Sequence, residues 1–255
     1  MFGFGRTVTV LSVDGGGIRG LLPGLILKEL QARISARLKG RGRHGELYRC
    51  FDLVAGTSTG ALLTLGLSLP NTERPELPAV TIDDIIDIYR TRGLEIFPKG
   101  TFDGFRAVRQ AFAEKYGSSK LYEILTEYFG EVRLQQALTN VIITSYDIER
   151  RTAFFFKKRP QRLTEEGDLD FYMRDVARAA TAAPTFFEPV CIHPIGRNDH
   201  RMCLIDGTLF ANNPAMNALI EARKIYPRAA RFVVLSLGTG LTTRRYTFEA
   251  MRNWG

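Results

Sequence analysis

Apolar and β-branched residues dominate Thr7–Val13 (TVTVLSV), and the run stops abruptly at Asp14-Gly15-Gly16-Gly17. Such a run predicts a strand, and the glycines predict a sharp turn. From Leu21 to Leu38 the apolar positions Leu22, Leu25, Ile26, Leu30 and Ile34 recur at helical spacing, as on one face of an amphipathic helix. Phe51–Ala55 is a second short apolar run. It ends at Gly56 and is followed by a small-residue segment able to start another helix. The chain thus opens twice with strand, glycine turn and helix. That order predicts an α/β fold built on a parallel, doubly wound sheet.

The middle of the chain reads as more helical. Thr81 followed by Asp84 marks a helix start, with Ile82, Ile85, Ile86 and Tyr89 on one face. Phe102–Tyr116 and Lys120–Phe129 are further helix candidates, and Phe171–Ala182 is one that Pro184 stops. Strands are predicted at Val141–Tyr146, Ala153–Lys157, Met202–Ile205 and Phe232–Leu237, with a helix from about Pro214 to Ile225. No repeat, low-complexity tract or composition break divides the 255 residues, so one domain over 1–255 is expected.

Composition narrows the setting. Apolar residues make up 45% of the chain, too many for a disordered one. No apolar run reaches the roughly 18 residues of a membrane span, and the N-terminus shows no secretory h-region. A cytoplasmic or peripheral-membrane location is expected. The three cysteines, Cys50, Cys191 and Cys203, form no CxxC pair and suit small buried thiols better than a disulfide framework or a zinc site. The net charge of +8 favours anionic surfaces. Its basic runs are Arg37–Arg43, Lys157-Lys158-Arg159 and Arg244-Arg245. They fit either solvated loops or a footing on an anionic membrane, and no nucleic-acid signature accompanies them.

Three stretches carry chemistry. Gly56-Thr57-Ser58-Thr59-Gly60 fits G-x-S-x-G between a strand and a helix. A nucleophilic serine on such a turn needs small neighbours, because its backbone is strained and substrate must come close. The plainer reading is a β–α turn with Ser58 as helix cap. Asp14-Gly15-Gly16-Gly17-Ile18-Arg19-Gly20 can aim backbone N–H groups at one anion. In acyl transfer that anion is the tetrahedral oxyanion. The same string is a literal G-x-G-x-x-G, the dinucleotide fingerprint, but the acidic residue expected ~20 positions on is missing from the basic Ile34–Arg43 region. Leu204-Ile205-Asp206-Gly207-Thr208 ends an apolar strand in a carboxylate and a glycine turn, the place where sites collect in α/β folds.

Of the histidines, His44 falls in the basic linker, and His193 and His200 both precede Asp206. None occupies the late position of a triad histidine. A Ser–Asp dyad is the economical machinery, with His193 and His200 left open as alternatives.

Together, DGGGIRG, GTSTG and the later DG turn resemble the patatin-like phospholipase family. Ala177–Phe187 (ARAATAAPTFF) resembles that family's A-R-A-T-S-A-A-P-x-x-F segment. The motif-bearing part spans about Val8 to Pro214. The resemblance implies a three-layer α/β/α fold around a mostly parallel sheet. It also implies a lipid acyl hydrolase acting on phospholipids, galactolipids or acylglycerols without metal or organic cofactor. Ser58 would be the nucleophile and Asp206 the second member of the dyad. Gly15, Gly16 and Gly17 would form the oxyanion hole, with Arg19 close by at the substrate. Two departures stand out. Thr208 occupies the place of a glycine or alanine and is expected to crowd or hydrogen-bond the turn. The chain also stops soon after Leu235–Gly240, where relatives continue, so a trimmed chain and a short member both fit.

These readings predict ester hydrolysis through an acyl-Ser58 intermediate, with lipid at an anionic membrane surface as the partner and any activator unidentified. Leu62, Leu63, Leu65 and Phe154–Phe156 are candidates for an acyl-chain lining, although such residues more often form core. An acyltransferase and a non-catalytic membrane-binding or regulatory module are the alternatives.

Overall fold

A computed structural model describes residues 5–38, 46–96, 116–163, 169–241, 247, 248 and 252. In chain order the main elements are β1 (Thr7–Val13), α1 (Leu21–Leu38), β2 (Leu53–Gly56), α2 (Thr59–Ser68), α3 (Ile82–Thr91), α4 (Gly93–Ile96) and α5 (Tyr116–Phe129). They continue with β3 (Asn140–Asp147), β4 (Thr152–Lys158), α6 (Met173–Ala180), β5 (Val190–Ile192), β6 (Met202–Asp206), α7 (Thr208–Ala211), α8 (Ala215–Ile225) and β7 (Arg231–Leu237). The strands form one mixed sheet in the order β5-β6-β3-β2-β1-β7, with β4 on the other edge of β3.

Alternation along the strands builds three layers. Val8 and Val10 of β1, Leu53 and Ala55 of β2, and Ile142 of β3 face α8, where they meet Ala218, Ala222 and Ile225. The intervening Leu11, Val13, Val54, Val141 and Ile143 face the opposite layer, which includes α1, α2, α3, α5 and α6. A strand covered on both faces has no polar side, which is why β1 and β2 read as nearly continuous apolar runs. Helix α2 is buried along its whole length, as a helix apolar all round must be. Thr81 and Asp84 form the expected capping box at α3.

The register of β3 sets up the site. Gly56, the end of β2, pairs with Ile143 in parallel. Asp206, the end of β6, pairs with Ser145 in antiparallel fashion. Because β4 occupies the far edge of β3 from Val141 to Asp147, β2 and β6 share the near edge and run head-on into each other. The turn after β2 and the carboxylate closing β6 therefore meet. The loops after β1 and β7 lie at the same end: the Asp14 N–H donates to Leu237 O at 3.0 Å and the Thr57 N–H to Val13 O at 3.2 Å.

Several expectations need correction. Cys191 and Cys203 are not free thiols: they stand opposite each other on β5 and β6 and are disulfide-bonded, with Cα atoms 4.2 Å apart. Directly opposed antiparallel positions bring side chains within bonding reach. Cys50 is the one free cysteine, half-buried.

Two members of the Lys157-Lys158-Arg159 run are engaged within the protein. Lys157 and Arg159 hold the buried Glu221 of α8 at 2.9 and 2.5 Å. Burial alone would raise the Glu221 pKa, but the two cations more than offset it and hold the carboxyl below its ordinary value. Leu63, Leu65 and Phe156 are fully enclosed core. Phe154, Phe156 and Phe171 interlock edge to face, with Phe156 ring centroids 4.9 and 5.0 Å from the other two. Most of the Phe102–Tyr116 candidate, His44, Lys39–Arg43 and Arg244-Arg245 lie outside the described residues. No described helix is long and apolar enough to cross a membrane.

Candidate active site

Ser58 sits between the last residue of β2 and the first turn of α2 with φ 52° and ψ −123°. Positive φ in a non-glycine residue is strained and is held only where the surroundings enforce it. Here they do. The Gly60 N–H donates to Thr57 O at 2.8 Å and the Ala61 N–H to Ser58 O at 2.9 Å, closing the turn. A Cβ on Gly60 would lie 2.2 Å from Val13 O, and one on Gly56 would lie 2.4 Å from Gly60 O. The small residues flanking the serine are thus required by backbone packed on backbone. Ser58 keeps 9% exposure, opening onto a cavity of about 1040 Å³.

Asp206 is buried at the same cavity. Its Oδ1 accepts the Thr208 N–H at 2.8 Å and the Thr208 hydroxyl at 2.7 Å. Its backbone N–H donates to Ala182 O at 3.0 Å, so the Ala177–Phe187 segment backs the acid. Burial pushes the Asp206 carboxyl above its ordinary pKa, while the Ser58 hydroxyl and the two Thr208 donors pull against that rise. Ser58 thus faces the carboxylate closely enough to steady its charge. It does not complete a hydrogen bond of regular geometry, and Oδ2 has no partner among the described residues.

The glycine loop after β1 splits into two roles. The Gly15 N–H, expected in the oxyanion set, donates in this structure to Asn212 O at 3.1 Å. Gly15 also provides space: a Cβ there would lie 3.1 Å from both Ser58 Cβ and Thr208 Oγ1 and 2.6 Å from Asn212 Oδ1. The backbone N–H groups of Gly16 and Gly17 have no acceptor among the described residues, and both residues line the cavity. Arg19 also lines it, its guanidinium tied to the carbonyls of Gly16 and Gly240 at 3.4 and 3.2 Å.

Part of the wall is apolar, formed by Ala183, Pro184, Phe186, Phe187, Leu209 and Leu241. The Arg178 guanidinium lies over the Phe187 ring at 5.5 Å. None of the leucines or phenylalanines expected as lining belongs to this wall. Asp14 was seen only as part of its motif, yet it lines the cavity beside Gly15. Burial raises its pKa against a hydrogen bond from Asn213. His193 and His200 border the loop between β5 and β6, beyond Ile192 and Met202 and four residues along β6 from Asp206. Neither reaches the cavity. No group of described histidine, cysteine or carboxylate side chains is arranged to hold a metal.

Known proteins are similar to this chain over most of its length. The family model described as patatin-like phospholipase matches residues 11–219. Patatin-like protein 1 of Arabidopsis thaliana is 34% identical over 276 residues, covering 98% of this chain and 64% of that protein. Patatin-T5 of Solanum tuberosum is 34% identical over 269 residues, covering 98% and 66%. The chain therefore spans slightly less than two thirds of the length of these relatives. Among solved structures, VipD from Legionella pneumophila aligns over 80% of this chain and 46% of its own with 14% identity and a TM-score of 0.30, too slight a likeness to carry an argument. On the strength of the family match and these relatives, the chain belongs to the patatin-like phospholipase family.

Proposed function

We propose that this protein hydrolyses carboxylic esters of lipids through a Ser58–Asp206 dyad and an acyl-enzyme intermediate. The observation that carries this reading is the meeting of a strained, cavity-facing Ser58 with a buried Asp206 whose Oδ2 is unpartnered. Family membership supports the lipid acyl hydrolase class.

Asp206 Oδ2 takes the proton as Ser58 Oγ attacks the ester carbonyl. The Gly16 and Gly17 amides donate to the oxyanion, each such donor being worth about 2.7–4 kcal/mol in the transition state. Collapse expels the alcohol, which receives the proton back from Asp206. Water, deprotonated by the same carboxylate, then releases the fatty acid from Ser58. Burial makes Asp206 a better base than an exposed aspartate with pKa near 3.9. It remains weaker than imidazole, so esters are cleaved and amides hardly at all. The apolar part of the wall receives the acyl chain, while Arg19 favours an anionic or phosphate-bearing group.

A membrane surface supplies the substrate. Leu22 meets Gly240 at the cavity mouth, where a Cβ on the glycine would lie 3.4 Å from Leu22 Cδ1. Leu25 and Ile26 extend that exposed face along α1, and Leu241 and Leu209 stand 97% and 60% exposed at the mouth itself. Exposed apolar residues gathered at one opening suit a lipid interface. The footing is thus apolar first, with the basic residues secondary.

The test is fatty-acid release from mixed phospholipid vesicles by wild type, Ser58→Ala and Asp206→Ala. Release by wild type and its loss in both variants establish the dyad and the substrate class. Activity surviving in Asp206→Ala would assign the base elsewhere, with Asp14 the nearest alternative carboxylate at the cavity. If an added alcohol diverts the acyl group into a new ester faster than water releases it, the protein is an acyltransferase.

A further inference from the structure

Thr208 stands where the family resemblance leads one to expect glycine or alanine, and its side chain is engaged with Asp206. The hydroxyl and the N–H of this single residue converge on one oxygen, Asp206 Oδ1, at 2.7 and 2.8 Å. The other oxygen, Oδ2, is buried and unpartnered at the cavity that holds Ser58. Two donors on Oδ1 fix the torsion of the carboxylate and leave Oδ2 as the face available to a proton. We infer that Thr208 is a positioning residue that locks the Asp206 carboxylate with Oδ2 turned toward Ser58.

The inference rests on the proposed role of Asp206 as base. Three features make the lock specific. A β-branched side chain has few χ1 options, so the hydroxyl is held in place more firmly than that of a serine. Thr208 lines the cavity itself, so an acyl chain entering there expels water from around the contact and strengthens it. Its Oγ1 also stands 3.1 Å from the position a Gly15 Cβ would take, so a side chain on that loop would press against the hydroxyl. Donors to a carboxylate favour its charged form, and the hydroxyl therefore keeps the buried acid ionised at a lower pH than burial alone would allow.

Removing the hydroxyl at constant shape, Thr208→Val, isolates the effect, and Thr208→Ser restores the donor. The readout independent of turnover is the ¹³C carboxyl titration of Asp206 in the full chain labelled with [¹³C]aspartate, its signal identified by its loss in Asp206→Asn. Thr208→Val is expected to raise the Asp206 midpoint by about one pH unit, and Thr208→Ser to leave it near wild type. On a soluble p-nitrophenyl ester, the acid limb of the pH–rate profile should move with that midpoint. At the pH optimum kcat should fall about tenfold in Thr208→Val with KM little changed. An unmoved midpoint in a Thr208→Val protein that melts normally would overturn the lock. A midpoint that moves while the acid limb stays still would instead remove Asp206 as the base, and the positioning role with it. No turnover by wild type or any variant despite the expected midpoint shift would sustain the contact and sink the proposed function.

Discussion

Thr57, the residue before the proposed nucleophile, donates its hydroxyl proton to the carbonyl of Ala211 at 2.6 Å. Ala211 closes the short helix α7 that follows Asp206. Thr57 has only one hydroxyl proton, so the 2.7 Å contact with Thr144 Oγ1 must be donated by Thr144 of β3. A chain of two buried hydrogen bonds thus ties the serine turn, the central strand and the acid-bearing loop together. Thr57→Val keeps the shape, breaks both bonds and leaves Ala211 O without its donor. The stability cost should be about 1–3 kcal/mol, a fall in Tm of about 2–4 °C per kcal/mol. Because the acid loop is freed relative to the serine, kcat should drop roughly ten- to a hundredfold while KM changes little. Thermal melts and steady-state kinetics on a soluble ester check both, and a lower Tm with unchanged kcat would show that the tie serves folding alone.

Close backbone approach separates the glycines of the site into two kinds. At Gly60 a methyl would lie 2.2 Å from Val13 O and 2.9 Å from Asp14 O, with no flexible side chain to yield. At Gly238, on the cavity rim, the nearest atom to a methyl is Asp14 Oδ2 at 3.7 Å, an ordinary contact. Gly60→Ala should therefore lose more than about 3 kcal/mol or fail to accumulate as folded protein. Gly238→Ala should stay within about 1 kcal/mol of wild type. Side-by-side melts decide this, and a stable Gly60→Ala would mean that β1 and α2 can move apart more easily than their packing implies.

The serine turn was legible because everything it needs is local: a strand, five residues of G-x-S-x-G and a helix lie consecutively in the chain. Asp206 was legible as a strand end, but the reason it meets Ser58 was not. That depends on β6 pairing with β3 just beyond Gly56, a register set by residues far apart in sequence. Strand β5 went unseen because Val190–Ile192 is three residues long and partly exposed, too short for a periodic signal. With it went the Cys191–Cys203 pairing. Composition read Lys157 and Arg159 as free charge because their partner, Glu221, belongs to a helix more than 60 residues away. The Phe154–Phe156 run was hydrophobic whichever role it played, and only the sheet face decided in favour of core for Phe156. The apolar part of the cavity wall came instead from Phe186 and Phe187, inside a segment already recognised for its sequence but not for this role.

A buried aspartate with a raised pKa makes stability depend on pH in a definite direction. Asp206 binds its proton more tightly folded than unfolded, so its contribution is most favourable below the unfolded pKa of about 3.9 and is lost as pH rises through the folded value. At pH 7 the ionised carboxylate therefore destabilises the fold. Asp206→Asn keeps an oxygen acceptor for the two Thr208 donors and removes the charge. It should raise Tm at pH 7, by about 2–4 °C for each kcal/mol recovered, and the gain should fade as pH falls toward 4. With Asp206 as the proposed base, activity should be lost in the same variant, the usual opposition between stability and a functional charge. A Tm difference that is absent at pH 7, or that grows on acidification, would contradict the buried-charge account.

The apolar mouth makes a prediction that separates binding a surface from performing the chemistry. Leu25 and Ile26 are exposed on α1, one turn beyond Leu22, and neither lines the cavity. Residues three and four positions apart share a helix face, so all three present one stripe toward whatever lies over the mouth. Each side chain, partly buried in lipid, contributes on the order of 1 kcal/mol, whereas a carboxylate in its place must be kept hydrated. Leu25→Asp combined with Ile26→Asp should weaken binding to phospholipid vesicles by at least about tenfold and reduce fatty-acid release from them in proportion. Turnover of a soluble short-chain ester should stay within about twofold, because Ser58, Asp206 and the Gly16–Gly17 amides are untouched. Co-sedimentation with neutral and anionic vesicles adds a second axis. If the apolar stripe leads, wild type binds both kinds and the double variant neither. If wild type binds only anionic vesicles and the double variant binds them equally well, charge provides the footing and the stripe faces something other than lipid.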